Sequence, residues 1–384
     1  MYDRVLYDKI AQNGRPIPNG MDHPGIIDMF EKGENWRRFS YYDDIPRFSP
    51  EKIALTHECD SGVYPLCIRE PRVINPYTLN ALIQSVGDRT LSLIRSGGIK
   101  LCWFVEKEAP KDVSQIFDID KVMKDWNISN YAIFTNLSFH NLNYFSKRAY
   151  PSVSHELEVG IIQKNEIVMD CVREPKRFNV FMHTDNIYDW RLLFLNLLNR
   201  AGVIQHSILS FKHSARMIDT KSIDSAEINT YLERNESAIR SALSKYGYGY
   251  LGYDDVFANS SFSIVIEAYL DHVSVVNYPF ITEKTMWAIV MGQPFIISGQ
   301  AHSLPYLRER GYRTFSPHID ESYDRIENDL LRIKTVTAEI ARINAMPPEE
   351  YKTLLQRIEP IVAHNIAQTH RNIETYYRRI FART

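Results

Sequence analysis

Three consecutive residues, Thr282, Glu283 and Lys284, hold the chain's most concentrated chemistry. Met286, Trp287, Ile289 and Val290 follow at helical spacing, so Thr282 reads as an N-cap with Glu283 and Lys284 in the first turn. A helix start offers unpaired N–H groups to an anion, and Lys284 adds a full positive charge beside them. Glu283 suits the two hydroxyls of a ribose, because one carboxylate accepts two hydrogen bonds at once. The same triplet also makes a sound helix start with no ligand at all.

Elements on either side must position these groups. Phe262, Ile264, Val265 and Ile266 form an apolar run that ends in Glu267, which predicts a buried strand delivering a carboxylate at its carboxyl end. Such strand ends are where α/β sheets bind ligands. Gln293 to Ser298 predicts the next strand, and Gly299 frees the backbone for a close turn. Together these features suit a pocket for phosphate and sugar.

In order, Glu267, Tyr278 through Lys284, Gln293-Pro294-Phe295-Ile296-Ile297 and Gly299 resemble the donor-binding half of GT-B glycosyltransferases, most closely the α1,3-fucosyltransferase-like group. Ser303 to Arg308 and Asp320 to Asp324 are similar to elements of glycosyltransferase-like proteins of large DNA phages. The resemblance covers the C-terminal half, and the N-terminal half matches by architecture only. It implies an α/β, GT-B-like fold: two Rossmann-like domains facing across a cleft, with C-terminal helices crossing back to the first. It also implies donor contacts from Arg191, Glu267, Tyr278, Thr282, Glu283, Lys284 and Gly299. Arg191, opening a Leu-rich helix, matches the family's arginine and suits a bidentate clamp on phosphates. Two departures stand out. Ala268 and Tyr269 follow Glu267 where the family has Asn, and His183-Thr184 replaces Asn-Arg.

In the first half, Ile99 to Val105 is the clearest buried strand, and it ends in Glu106-Lys107-Glu108. The family keeps its general base in the N-terminal domain, so the resemblance makes Glu106 or Glu108 the group that takes the acceptor's proton in an inverting transfer. A solvated strand end accounts for the same pair. Glu58, beside His57, is a rival. Asp118-Ile-Asp120 imitates the Asp-x-Asp metal triplet, but Val122, Met123 and Trp126 follow at helical spacing, which favours Asp118 or Asp120 as an N-cap. Gly247-Tyr-Gly249-Tyr-Leu-Gly252 satisfies GxGxxG literally. A helical segment from Glu227 to Lys245 precedes it, so it reads as an aromatic loop, and a dehydrogenase reading would rest on it alone.

The domain boundary is placed in a linker at Asp170 to Pro175, giving an acceptor-side domain over 1–172 with an irregular arm to about residue 50. A donor domain follows over 173–345, and terminal helices over 346–384 pack back on the first. A continuous helix is expected from Tyr323 to Arg342, broken by Pro347-Pro348. Composition fits a globular protein, with 44% hydrophobic and 24% charged residues over 384 positions. A formal charge of −2 supplies no global basic field for nucleic acid or membrane. Cys59, Cys67, Cys102 and Cys171 lack zinc spacing and read as thiols in a reducing cytoplasm. The start, MYDRVLYDKI, lacks the apolar core of a signal peptide, and no apolar run approaches a membrane span.

The reading that follows is a cytoplasmic glycosyltransferase, inverting and metal-independent, that needs no cofactor beyond its UDP- or GDP-sugar donor. Its acceptor is a glycan or a hydroxymethylated pyrimidine in phage DNA. The alternative is a non-catalytic nucleotide- or glycan-binding module that keeps the GT-B fold.

Overall fold

The computed structural model describes residues 5–7, 53–55, 59–68, 76–105, 114–135, 148–151, 177–181, 189–210, 247–248, 257–270 and 279–382. The chain divides into two units. One comprises Met1–Glu158, Val273–Tyr278 and His370–Thr384; the other comprises Val159–His272 and Pro279–Thr369. Both are α/β, and every strand pairing in both sheets is parallel.

The first unit holds β1 (Val5–Tyr7), β2 (Ile53–Leu55), β3 (Gly62–Ile68), β4 (Ile99–Val105), β5 (Tyr131–Thr135) and β6 (Ala149–Pro151), in the spatial order β2-β1-β3-β4-β5-β6. Its helices are α1 (Pro76–Ser85), α2 (Asp88–Arg95) and α3 (Ser114–Asp125). β4 spans the predicted run, and consecutive residues Ile99 to Trp103 are all buried, as a central parallel strand covered on both faces requires. Leu79, Ile83, Ile94, Ile119, Val122 and Met123 supply the helical side of this core. Gly97 stops α2 at φ 82°, a left-handed conformation that suits glycine.

Asp118 and Asp120 are not caps. α3 starts at Ser114, because the apolar stripe that includes Ile119, Val122 and Met123 begins a turn earlier, at Ile116. Both aspartates therefore lie inside the helix, and Asp120 accepts a hydrogen bond from Tyr131 at 2.5 Å.

The second unit holds β7 (Phe178–Phe181), β8 (Ser207–Ser210), β9 (Gly247–Tyr248), β10 (Ser263–Ile266) and β11 (Phe295–Ser298). The spatial order is β11-β10-β7-β8-β9. Counted within the unit this is 5-4-1-2-3, the doubly wound order of dinucleotide-binding sheets, whose strand order reverses between β7 and β10. Gly247 and Tyr248 are thus an edge strand paired with Leu209 and Ser210, not part of a loop. Ladder hydrogen bonds there outweigh glycine's poor strand preference. Below the reversal, Asn179 on β7 donates to Gln293 at 2.7 Å and to Ser263 on β10 at 3.1 Å, locking the two strands in register.

Helices of this unit are α4 (Asp189–Arg200), α5 (Glu283–Val290), α6 (Ser303–Glu309) and α7 (Asp329–Asn344). The continuous helix expected from Tyr323 is interrupted. Ser322–Arg325 forms one 3₁₀ turn, and α7 begins afresh where the Asn328 side chain accepts from the Leu331 N–H at 2.9 Å. The terminal helices are one helix, α8 (Pro348–Phe381), with Pro360 inside it. Its residues from His370 belong to the first unit, where Tyr376 meets Phe134 edge-on at 4.9 Å. There the buried Lys100 ammonium donates to the carbonyls of Arg379 and Ala382 at 2.9 and 3.0 Å, closing the helix's C-terminus. Among the described residues no helix is long and apolar enough to cross a membrane.

Candidate functional site at the strand reversal

Glu267 follows β10 at the sheet's carboxyl edge, beside the reversal, and is almost wholly buried. Its N–H still pairs with the Ser298 carbonyl at 2.9 Å, so the strand holds the side chain's root rigidly. The carboxylate turns toward the start of α5. Oε1 accepts from the Thr282 N–H at 3.2 Å and the Thr285 hydroxyl at 2.6 Å, and Oε2 accepts from the Thr282 hydroxyl at 2.5 Å. A buried carboxylate requires such donors, and the positive end of the helix adds to their attraction.

Thr282 caps α5 as the sequence predicts, its Oγ1 accepting from the Lys284 N–H at 3.4 Å. The same oxygen accepts from Lys284 Nζ at 3.2 Å, while Nζ also pairs with Glu283 Oε1 at 2.7 Å. A continuous relay therefore runs from Glu283 through Lys284 and Thr282 to Glu267. Within this group Glu283 is the more open member of the ion pair, its side chain 17% exposed against 7% for Lys284.

Arg191 on α4 reaches the same place. Its guanidinium donates to the carbonyls of Glu267 at 2.8 Å and Ala268 at 3.3 Å. These carbonyls offset part of the cost of burying the guanidinium.

Gly299 closes the cluster for a different reason than turn formation. Its φ is not positive; a methyl group on its Cα would stand 3.0 Å from Glu267 Cβ. Glycine is required there by the approach of Glu267, which spacing alone does not reveal.

Of the residues singled out from sequence, Arg191, Glu267, Thr282, Glu283, Lys284 and Gly299 come together. Tyr278, Glu106, Glu108, His57 and Glu58 lie outside the described residues. The oxygens of Glu267, expected to meet the sugar or a neighbouring ligand group, accept from Thr282 and Thr285, so this residue also anchors the helix start.

Three participants were missed. Thr285 supplies the third hydrogen bond to Glu267. Gln300 accepts from the Phe280 N–H at 2.7 Å and so fixes the approach to α5. Arg332, buried on α7, donates to the Gly299 carbonyl at 2.9 Å, to Leu270 at 2.5 Å and to Ile326 at 2.6 Å, tying together the segments that leave β10 and β11. Arg332 carried a signal: it stands four residues before Val336 and eight before Ile340, on the apolar stripe of α7, where a charge must have a partner.

No model of a known protein family matches the chain. No curated protein matches it either. Among solved structures it is similar to an UDP-forming α,α-trehalose-phosphate synthase from Burkholderia xenovorans, with 11% identity over 94% of this chain and 86% of that one, at a TM-score of 0.45. It is also similar to an α,α-trehalose 6-phosphate synthase from Burkholderia multivorans, with 11% identity over 84% and 70% of the two chains and a TM-score of 0.42. A UDP-forming synthase from Burkholderia vietnamiensis gives 12% identity over 91% and 82%, with a TM-score of 0.41. Likenesses this distant assign neither fold nor function.

Chemically, the cluster offers a fixed cation, a partly open carboxylate and a helix start at a strand reversal. Those are the groups that a phosphorylated, hydroxyl-bearing ligand requires. Among the described residues no group of three or more His, Cys, Asp or Glu comes together in a metal-binding arrangement.

Proposed function

We propose that this chain is a glycosyltransferase that moves a sugar from a nucleotide-diphosphate donor to a hydroxyl acceptor, by inversion. The observation that carries the reading is the place of Lys284 and Glu283: they open α5, whose start meets the carboxyl end of β10 through Glu267, where the strand order 5-4-1-2-3 reverses. In this reading Lys284 moves from Glu283 to the donor's diphosphate, and Glu283 is released to accept the ribose hydroxyls. Arg191 and the start of α5 add positive potential where the leaving diphosphate gains charge.

Glu106 or Glu108 serves as the base that takes the acceptor's proton while its oxygen attacks the anomeric carbon. The donor is a UDP- or GDP-sugar. The acceptor is a glycan hydroxyl, with hydroxymethylated pyrimidine in DNA as the other candidate, and the protein works in the cytoplasm.

A second reading, a binding module without turnover, is favoured by one feature: every group of the described cluster binds or positions, and none is placed to move a proton. A thermal-shift screen with UDP-, GDP-, CMP- and dTDP-sugars separates the possibilities. Stabilisation by one donor, lost in Lys284→Ala, followed by a mass increase on a glycan or hydroxymethylated DNA, supports the transferase. Stabilisation without product supports the binding module. No response to any nucleotide sugar overturns the transferase and a nucleotide-binding module alike.

A further inference from the structure

A separate cavity of about 1220 Å³ opens in the second unit between α6, the segment from Tyr312 to Arg325, α7 and Ile361 of α8. None of its lining residues belongs to the cluster at the strand reversal. Its size exceeds a packing defect and matches or surpasses ordinary ligand sites, which run to roughly 1,000 Å³.

Four arginines line it, Arg308, Arg313, Arg325 and Arg342. The acidic residues on the same wall have hydrogen-bond donors of their own. Glu321 is held by the Phe315 N–H at 2.5 Å, the Thr314 hydroxyl at 2.8 Å and the Ser316 N–H at 3.2 Å, with Arg308 at 3.4 Å. Asp324 is buried and accepts from the Leu304 N–H at 3.2 Å, at the start of α6. Asp320 accepts from the Ser322 N–H at 2.9 Å. Arg342 pairs with Glu339.

Arg313 and Arg325 are different. Both are exposed, and among the described residues neither guanidinium makes a hydrogen bond or ion pair. Arg308 and Arg342 are paired with Glu321 and Glu339, so Arg313 and Arg325 are the two guanidiniums of the lining left to meet an anion. Guanidinium forks match phosphate oxygens, and the hydroxyls of Ser316 and Ser322 on the rim suit a polyol.

We propose that this cavity is a second binding site, for a phosphate-bearing small molecule, with Arg313 and Arg325 as its anion contacts. The site is independent of the donor reading: it shares no residue with it.

Isothermal titration of the full chain with inorganic pyrophosphate tests it, in a Lys284→Ala background that removes the ammonium at the strand reversal. That protein is expected to bind pyrophosphate at one site. Adding Arg313→Ala and Arg325→Ala should weaken binding at least about tenfold, the scale of one lost charged hydrogen bond. Both side chains are exposed, so an unchanged melting temperature confirms that the fold is intact. Replacing both by lysine should restore part of the affinity, since the charge stays while the fork is lost. Absence of binding in the Lys284→Ala protein, or equal binding after both arginines are removed, overturns the proposal. Failure of nucleotide sugars to bind the wild-type chain would instead strike the transferase reading and leave this site standing.

Discussion

Gly299 and Glu267 approach so closely that a single methyl group on the glycine would stand 3.0 Å from the glutamate's Cβ. The two residues come from neighbouring parallel strands, and their contact fixes where the Glu267 carboxylate meets α5. Gly299→Ala must displace a side chain whose oxygens are already bonded. It should cost about 1–3 kcal/mol, the range for overpacking a well-filled site. Chemical denaturation measures it, and an unchanged midpoint would show that the contact relaxes freely.

Glu267→Gln probes the anchor itself. The amide replaces one acceptor oxygen by an NH₂ group that faces either the Thr282 hydroxyl or the Thr282 and Thr285 donors. A loss of about 2–3 kcal/mol is expected, the scale for a buried hydrogen bond to a charged group. If donor binding follows the start of α5, affinity falls as well, through the displaced helix start.

Arg332→Met removes the guanidinium from the carbonyls of Gly299, Leu270 and Ile326. Buried carbonyls left without donors should destabilise the second unit by about 3 kcal/mol. Amide exchange should quicken first in the segments after β10 and β11, which the arginine joins. Uniform exchange across the unit would contradict this local role.

Asp324 makes stability depend on pH in an unusual direction. Burial pushes its carboxyl up to about 6, from an ordinary value of 3.8. The folded chain therefore holds this proton when the unfolded chain has released it, and the contribution to stability is present below pH 4 and is lost as pH rises toward 6. The whole effect is on the order of 3 kcal/mol. The stability difference between wild type and Asp324→Asn should shift against the wild type between pH 4 and pH 7. A difference that stays flat over that range would show that the carboxyl titrates normally.

Cys102 lies fully inside β4, and burial pushes its thiol up to about 12. Only the thiolate reacts with alkylating agents. Cys102 should thus resist iodoacetamide at pH 8 until the first unit unfolds, which mass spectrometry of the digested protein can follow. Labelling in the native state at the rate of an exposed thiol would contradict its burial.

The strands and helix boundaries near the cluster were legible because their causes are local. Apolar runs such as Ile99 to Val105 and Ser263 to Ile266 have the composition of buried parallel strands, and Thr282 announces a helix start by its own hydroxyl. Where a local cue was misread, a neighbouring one had greater weight. Asp118 and Asp120 have capping side chains, but the apolar spacing continues back to Ile116 and both fall inside the helix. The break after Tyr323 follows from Asn328, a second capping residue in the middle of an otherwise helical pattern. The edge strand at Gly247 and Tyr248 depends on pairing with Leu209 and Ser210, far away in the chain.

By itself the sequence determined that Glu267, Thr282, Glu283 and Lys284 belong to one strand end and one helix start, since spacing and side-chain chemistry along a short stretch suffice for that. Tertiary structure alone decided what each of them does. Glu267 became an anchor because β10 and α5 meet at its carboxylate, Gly299 became indispensable because that carboxylate's root presses against it, and Arg332 entered because a helix from later in the chain crosses beneath. Hydrogen bonds depend on distances of a few tenths of an ångström between segments remote in sequence, and no spacing of residues records those distances.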